Sequence, residues 1–159
     1  MKKVLSILLA VSLVFGMTFV MSACGDNSAE TEQNEFLPEA LRAVTAEMIS
    51  DLEGTAWQIA GGMIDGVEME QEDLDALLEA AGGAIQYIFT DDANIQMATS
   101  LNTLDGTYTL ESENTIVHMV FPEIEYYGIF SIIGEQTVFM IADPNQAGSA
   151  LYLTQVEEG

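Results

Sequence analysis

Residues 106–142 read GTYTLESENTIVHMVFPEIEYYGIFSIIGEQTVFMIA: four runs rich in Ile, Val, Phe, Tyr and Thr, broken three times by short polar turns. Runs of that composition favour strands. Links of two or three residues permit only antiparallel neighbours, since a parallel crossover takes about a dozen residues or more. The same pattern continues on both sides, predicting strands at 55–60, 84–90, 94–100, 106–111, 115–121, 125–133, 137–142 and 150–156. Asp91-Asp92-Ala93, Leu104-Asp105 and Asp143-Pro144-Asn145 supply turns between the others. Eight consecutive antiparallel strands form an up-and-down meander, and closing it into a barrel removes both exposed edges. The predicted class is therefore all-β with helical additions, an eight-stranded antiparallel meander barrel. A β-sandwich or open sheet is the alternative arrangement of the same strands.

The helical additions are two. Gln71–Ala81 carries Leu74, Leu77, Leu78 and Ala81 on one side, acidic residues in its first turn and Gly82-Gly83 at its end. It fills the one long connection, between the first and second strands. Upstream, Leu37, Leu41, Val44, Met48, Ile49 and Leu52 recur at spacings of three and four, predicting an amphipathic N-terminal helix from Pro38 to Leu52. That helix has a use. The strands at 115–142 are apolar on both parities, with Val117, Met119 and Phe121 against Ile116 and Val120. A half-wet strand alternates cleanly. The second face therefore needs a cover, and the N-terminal helix or a partner protein would provide one.

The N-terminus is of another kind. Lys2 and Lys3 precede the uncharged apolar run Val4–Met21, and Ser22-Ala23 precede Cys24, the only cysteine. Positive charge, apolar segment and small residues follow in the order a cleavable signal requires. Met21-Ser22-Ala23-Cys24 resembles the bacterial lipobox, with methionine where leucine is commonest. The resemblance implies a signal peptide at 1–23 and lipid attachment at Cys24. An uncleaved membrane helix is the alternative, since this uncharged run of 18 residues reaches the lower end of the about 17–25 needed to span a bilayer. Either way the remainder lies on the extracytoplasmic face of the cell membrane. Residues 25–35 hold no large apolar side chain and read as a disordered acidic tether. The predicted division is 1–23 signal, 24–36 lipidated cysteine and tether, 37–159 barrel domain with its helix.

Beyond Cys24 lie all 26 acidic residues and a single arginine, Arg42, a formal side-chain charge of −25. Nucleic acid is excluded as a partner, because phosphates need a basic face. The acidic surface favours solubility, and only the lipid should touch the membrane.

Leu52-Glu53-Gly54-Thr55-Ala56-Trp57 opens the first strand. With the strand order of 52–156, it resembles the lipocalin-like, calycin-type small barrels, closest to those of bacterial lipoproteins. The spacing is Gly-x-x-Trp where lipocalins have Gly-x-Trp. No arginine follows Arg42 to pack over the tryptophan, as one often does in those families. The resemblance implies that Trp57 seals one end of the barrel.

Chemistry-bearing residues are sparse. His118 is the only histidine, no cysteine accompanies it, and no nucleophile signature is present. Met97, Met119 and Met140 read as core filler ahead of a thioether site. The acidic groups at 91–94 and 65–70 lack the EF-hand pattern. Catalytic residues, metal ligands and cofactors are all predicted to be none, and the chain is read as a non-enzyme. The aromatic residues Trp57, Tyr87, Phe89, Tyr108, Phe130 and Tyr152 are the candidate ligand pocket or barrel core. Two functions follow: a lipid-anchored barrel binding a small apolar or amphipathic ligand, or an envelope interaction module with a filled barrel. Cys24→Ala should abolish processing at the lipobox and the incorporation of radiolabelled palmitate. Undiminished label in the variant would overturn the lipid anchor.

Overall fold

The computed structural model describes residues 37–49 and 51–156, and the predicted signal, Cys24 and the predicted tether lie outside them. Nine strands pair as one antiparallel sheet: β1 (Ala56–Ile64), β2 (Val67–Glu68), β3 (Ile85–Phe89), β4 (Asn94–Thr99), β5 (Thr103–Glu111), β6 (Ile116–Val120), β7 (Glu125–Ile133), β8 (Gln136–Ala142) and β9 (Ala150–Gln155). β1 pairs with β9 as well as with β3, which closes β1 and β3–β9 into an eight-stranded barrel. These eight are the predicted strands, with β7 matching at both ends and β1 running four residues further, to Ile64 instead of Ala60. β2 is an unforeseen two-residue addition folded back on the end of β1. In the closing seam Ile59 lies opposite Leu153 and Gly61 opposite Tyr152, so Ala60 is one residue extra. Such a bulge bends the strand and increases its twist, as closure requires.

The β3–β4, β5–β6 and β7–β8 turns define the lower end of the barrel. The β4–β5, β6–β7 and β8–β9 connections define the upper end. Among the described residues two helices accompany the barrel: α1 (Glu39–Arg42) and α2 (Gln71–Ala80). α2 matches its prediction to within a residue and joins β1 to β3 at the upper end. It stops where expected: Gly82 takes φ +83°, and the Gly83 N–H donates to the Leu78 carbonyl at 2.7 Å, satisfying a terminal acceptor. Leu74 is buried in the barrel core, and Leu78 packs against that core.

The N-terminal segment is corrected by the structure. The predicted helix from Pro38 to Leu52 is a single turn, α1, after which the chain runs on without regular structure as a strap. The reason lies in its hydrogen bonds. The Glu47 N–H donates to the Phe130 carbonyl at 2.7 Å and the Ile49 N–H to the Asn114 carbonyl at 2.8 Å. Those partners lie where β7 runs on past the end of β6, so the barrel wall recruits backbone that a helix would have kept for itself. The strap serves two hydrophobic clusters. Leu37 and Leu41 cover the outer face, with Ile116, Ile129, Val138, Met140 and Ala150. Ile49 and Leu52 belong to the barrel core. The cover predicted for the apolar outer face is thus the N-terminal segment, in a form different from the one expected.

Inside, the core is largely aromatic. The Phe130 and Phe139 rings stack at 4.3 Å, Trp57 meets them edge-on at 4.9 and 5.9 Å, and Phe89 bridges Phe139 to Tyr108. Two glycines make room for these rings. A Cβ on Gly128 would stand 2.4 Å from the Phe139 ring, and one on Gly106 would stand 2.6 Å from the Phe121 ring. The Phe139 and Phe121 rings thus stand against bare backbone, a close approach only glycine allows.

Trp57 is 4% exposed, and its indole N–H donates to Thr55 Oγ1 at 3.0 Å. Trp57→Ala should cost about 3–5 kcal/mol, the range for deleting a large buried aromatic. Denaturant unfolding measures the cost. The indole emission of the wild type should start blue and shift red as the chain unfolds. A tolerated alanine with emission already at the solvated wavelength would contradict this packing.

Candidate functional site

Five of the six aromatic residues singled out in the sequence meet in the barrel interior. Trp57, Phe89, Tyr108 and Phe130 form the lower group with Phe139. Tyr87 belongs to an upper group with Phe121 and Tyr126, with ring centroids 6.2–6.4 Å apart. Tyr152 is the exception. Leu153 beside it points into the core, so the alternation of a strand turns Tyr152 outward, against the cluster that the strap covers. It is therefore neither pocket nor barrel core. Cys24 lies outside the described residues.

The interior changes along its length. At the lower end the core side chains are buried: Ile49, Leu52, Trp57, Phe89, Tyr108, Phe130 and Phe139. At the upper end, beside α2, Leu74, Tyr87 and Phe121 are buried too, but the inward-facing Met97, Leu104, Ile124, Tyr126 and Leu151 are only partly buried. Leu101, in the β4–β5 turn at the same end, is 75% exposed. Met97 and Leu104 lie directly opposite one another on β4 and β5. This apolar rim is the more accessible part of the barrel interior. Single-residue reading did not find it, because its members look like ordinary strand residues. Only strand parity combined with position along the barrel separates them from the sealed end.

Polar groups meet the interior at few points. The Tyr108 hydroxyl donates to the Asp91 carbonyl at 2.8 Å. Tyr87, 1% exposed, shares a hydrogen bond with Tyr126. Burial raises the Tyr87 phenol well above its ordinary pKa, with Tyr126 adding to the effect. Burial also raises Tyr126, with Asp143 adding to it and the bond to Tyr87 opposing.

His118 sits on the outer face. Its Nε2 lies 2.7 Å from Glu125 Oε1 and its Nδ1 3.2 Å from Glu111 Oε1, and its ring stacks on Tyr127 at 4.5 Å. It links β5, β6 and β7 across the surface, and such exposed pairs contribute only about 0–1 kcal/mol. Met140 belongs to the outer cluster while Met119 lies in the core and Met97 packs against it, so the three thioethers do not converge. Asp91 closes its own turn: Oδ1 accepts from the Ala93 and Asn94 backbone N–H groups at 2.9 and 2.8 Å. The Asn94 side chain and then these amides lower its pKa. Among the described residues, no three His, Cys, Asp or Glu side chains are arranged to hold a metal ion. No family model, curated protein or solved structure matches the chain.

All five tyrosines have raised pKa values, burial being the first cause in each. A raised phenol means that the fold holds the neutral form. The stabilisation is complete below the ordinary value of 10.0 and is lost as pH rises above it. Absorbance at the tyrosinate band should therefore rise late and together with the loss of barrel structure. Five phenols titrating independently near pH 10, with the fold intact, would contradict the burial of Tyr87 and Tyr126.

Proposed function

We propose that this protein is a lipocalin-like, non-enzymatic carrier or sensor on the extracytoplasmic face of the cell membrane. It is held there by a lipid on Cys24 and binds a small apolar or amphipathic ligand at the upper end of its barrel. The observation that carries the reading is the asymmetry of the interior: Trp57 and the rings around it are buried, whereas Met97, Leu104 and Tyr126 at the upper rim are only partly buried. Binding sites of this kind join apolar walls to a few placed polar groups, and the Tyr87–Tyr126 pair supplies hydroxyls there. The closed meander and the position of Trp57 in its first strand support the lipocalin-like assignment. The signal-like N-terminus and Met21-Ser22-Ala23-Cys24 support the anchor. A tether of eleven residues gives the domain a reach on the order of 20 Å.

A second reading has its own support. The Phe121 and Phe139 rings press on Gly106 and Gly128, and a filled barrel would act as an envelope interaction module. Domain 37–159 holds its strap, barrel and both hydrophobic clusters within itself, so it can be tested alone. The uncharged dye N-phenyl-1-naphthylamine should brighten on binding. The cross-strand pair Met97→Gln with Leu104→Gln should weaken it about tenfold while Trp57 emission stays unchanged. Native mass spectra of the protein from its own host should carry a small-molecule adduct. A dark dye and a bare spectrum would leave the interaction module as the function.

A further inference from the structure

The upper end of the barrel combines its apolar rim with charge of one sign. Glu68 ends β2, Glu70 precedes α2, Glu123 lies in the β6–β7 turn and Asp143 follows β8. Ala142 lies opposite Tyr127, which brings the next residue, Asp143, level with Tyr126 across the β7–β8 pair. The only Lys or Arg between residues 4 and 159 is Arg42, in α1, which packs along β8 and whose Nε donates to the Leu37 carbonyl at 2.7 Å. An anionic headgroup arriving at this rim would meet the carboxylates of Glu123 and Asp143. A cationic headgroup would be attracted, and the face of a tyrosine ring adds to that attraction through its quadrupole. Tyr126 is the partly buried member of the upper aromatic group, backed edge-on by Tyr87 and Phe121 at 6.2 and 6.4 Å.

We infer that the ligand is a cationic amphiphile, an ammonium or quaternary ammonium group on an aliphatic chain. The chain would lie against Met97 and Leu104, and the cation would sit between Tyr126 and the carboxylates of Glu123 and Asp143. This inference rests on the ligand-binding reading above and adds to it the charge of the ligand. Fatty acids and other anionic lipids are excluded by the same argument.

The test is displacement of N-phenyl-1-naphthylamine from domain 37–159 at low salt by three probes of equal chain length: decyltrimethylammonium, 1-decanol and decanoate. All three are kept below micellar concentration, and Trp57 emission reports the fold. Decyltrimethylammonium should displace the dye at about one-tenth the concentration of decanoate, with decanol between them. The gap should narrow in high salt, which screens charges more than a few ångströms apart. Glu123→Gln with Asp143→Asn should reduce the cation preference about threefold, while Glu113→Gln with Glu135→Gln, in turns at the opposite end, should leave it. Decanoate displacing as well as the cation would overturn the inference and leave the ligand site standing. An equal loss in both double variants would also overturn it, by reducing the preference to overall surface charge. If no probe displaced the dye, the ligand-binding reading itself would fall.

Discussion

The pairing of β1 with β9 is the constraint on which everything else depends. Trp57 lies opposite Gln155 and Met63 opposite Ala150, so the first and last strands of the sheet become neighbours. Without that seam the sheet would have two open edges, and the rings of the core would face water on one side. With it, Trp57 from the first strand reaches Phe130 and Phe139 from strands seven and eight. The bulge at Ala60 lets a strand of this length bend around the closure. The lower end then needs only Ile49 and Leu52 to complete its burial.

The wall of the barrel is apolar on both sides over β6–β9, and each side has its own occupant. Inward, aromatic rings press on glycines. Outward, Leu37 and Leu41 cover Ile129 and Met140. The strap is also what holds an uncommon turn in place. Ser112, Glu113 and Asn114 all take positive φ, at 50°, 58° and 64°. Each such residue costs about 1–2 kcal/mol in an L-amino acid chain. The Asn114 carbonyl receives the Ile49 N–H, so the strained turn and the strap fix one another.

Much of this was readable from sequence, and the parts that were not share a cause. The strands of 84–156 stand out because polar turn residues separate them, and β7 was delimited to the residue by Pro122-Glu123 before it and Gly134-Glu135 after it. The strap reads as a long helix in the sequence because Leu37, Leu41, Ile49 and Leu52 recur at helical spacing while serving two different cores. Periodicity records that residues are buried and leaves open against what. Tyr152 was misplaced for a related reason: Leu151, Tyr152 and Leu153 are all apolar, so a strand buried on both sides hides its own parity. The upper rim was invisible for the opposite reason, since its residues differ from their sealed counterparts only in height along the barrel.

The seam and the strap also determine when this chain can finish folding. Both join the earliest residues of the domain to the latest: Trp57 to the strand ending at Gln155, and Leu37 to a face built from residues 116–150. Contacts so distant along the chain carry a large loop-closure entropy and fold slowly. A polypeptide made from its N-terminus therefore presents its apolar strap first, with nothing to lay it on. The barrel can close only once the last strand is present. Until then the two-sided strands stand open to aggregation, which makes completion of β9 the step that commits the molecule to its native state.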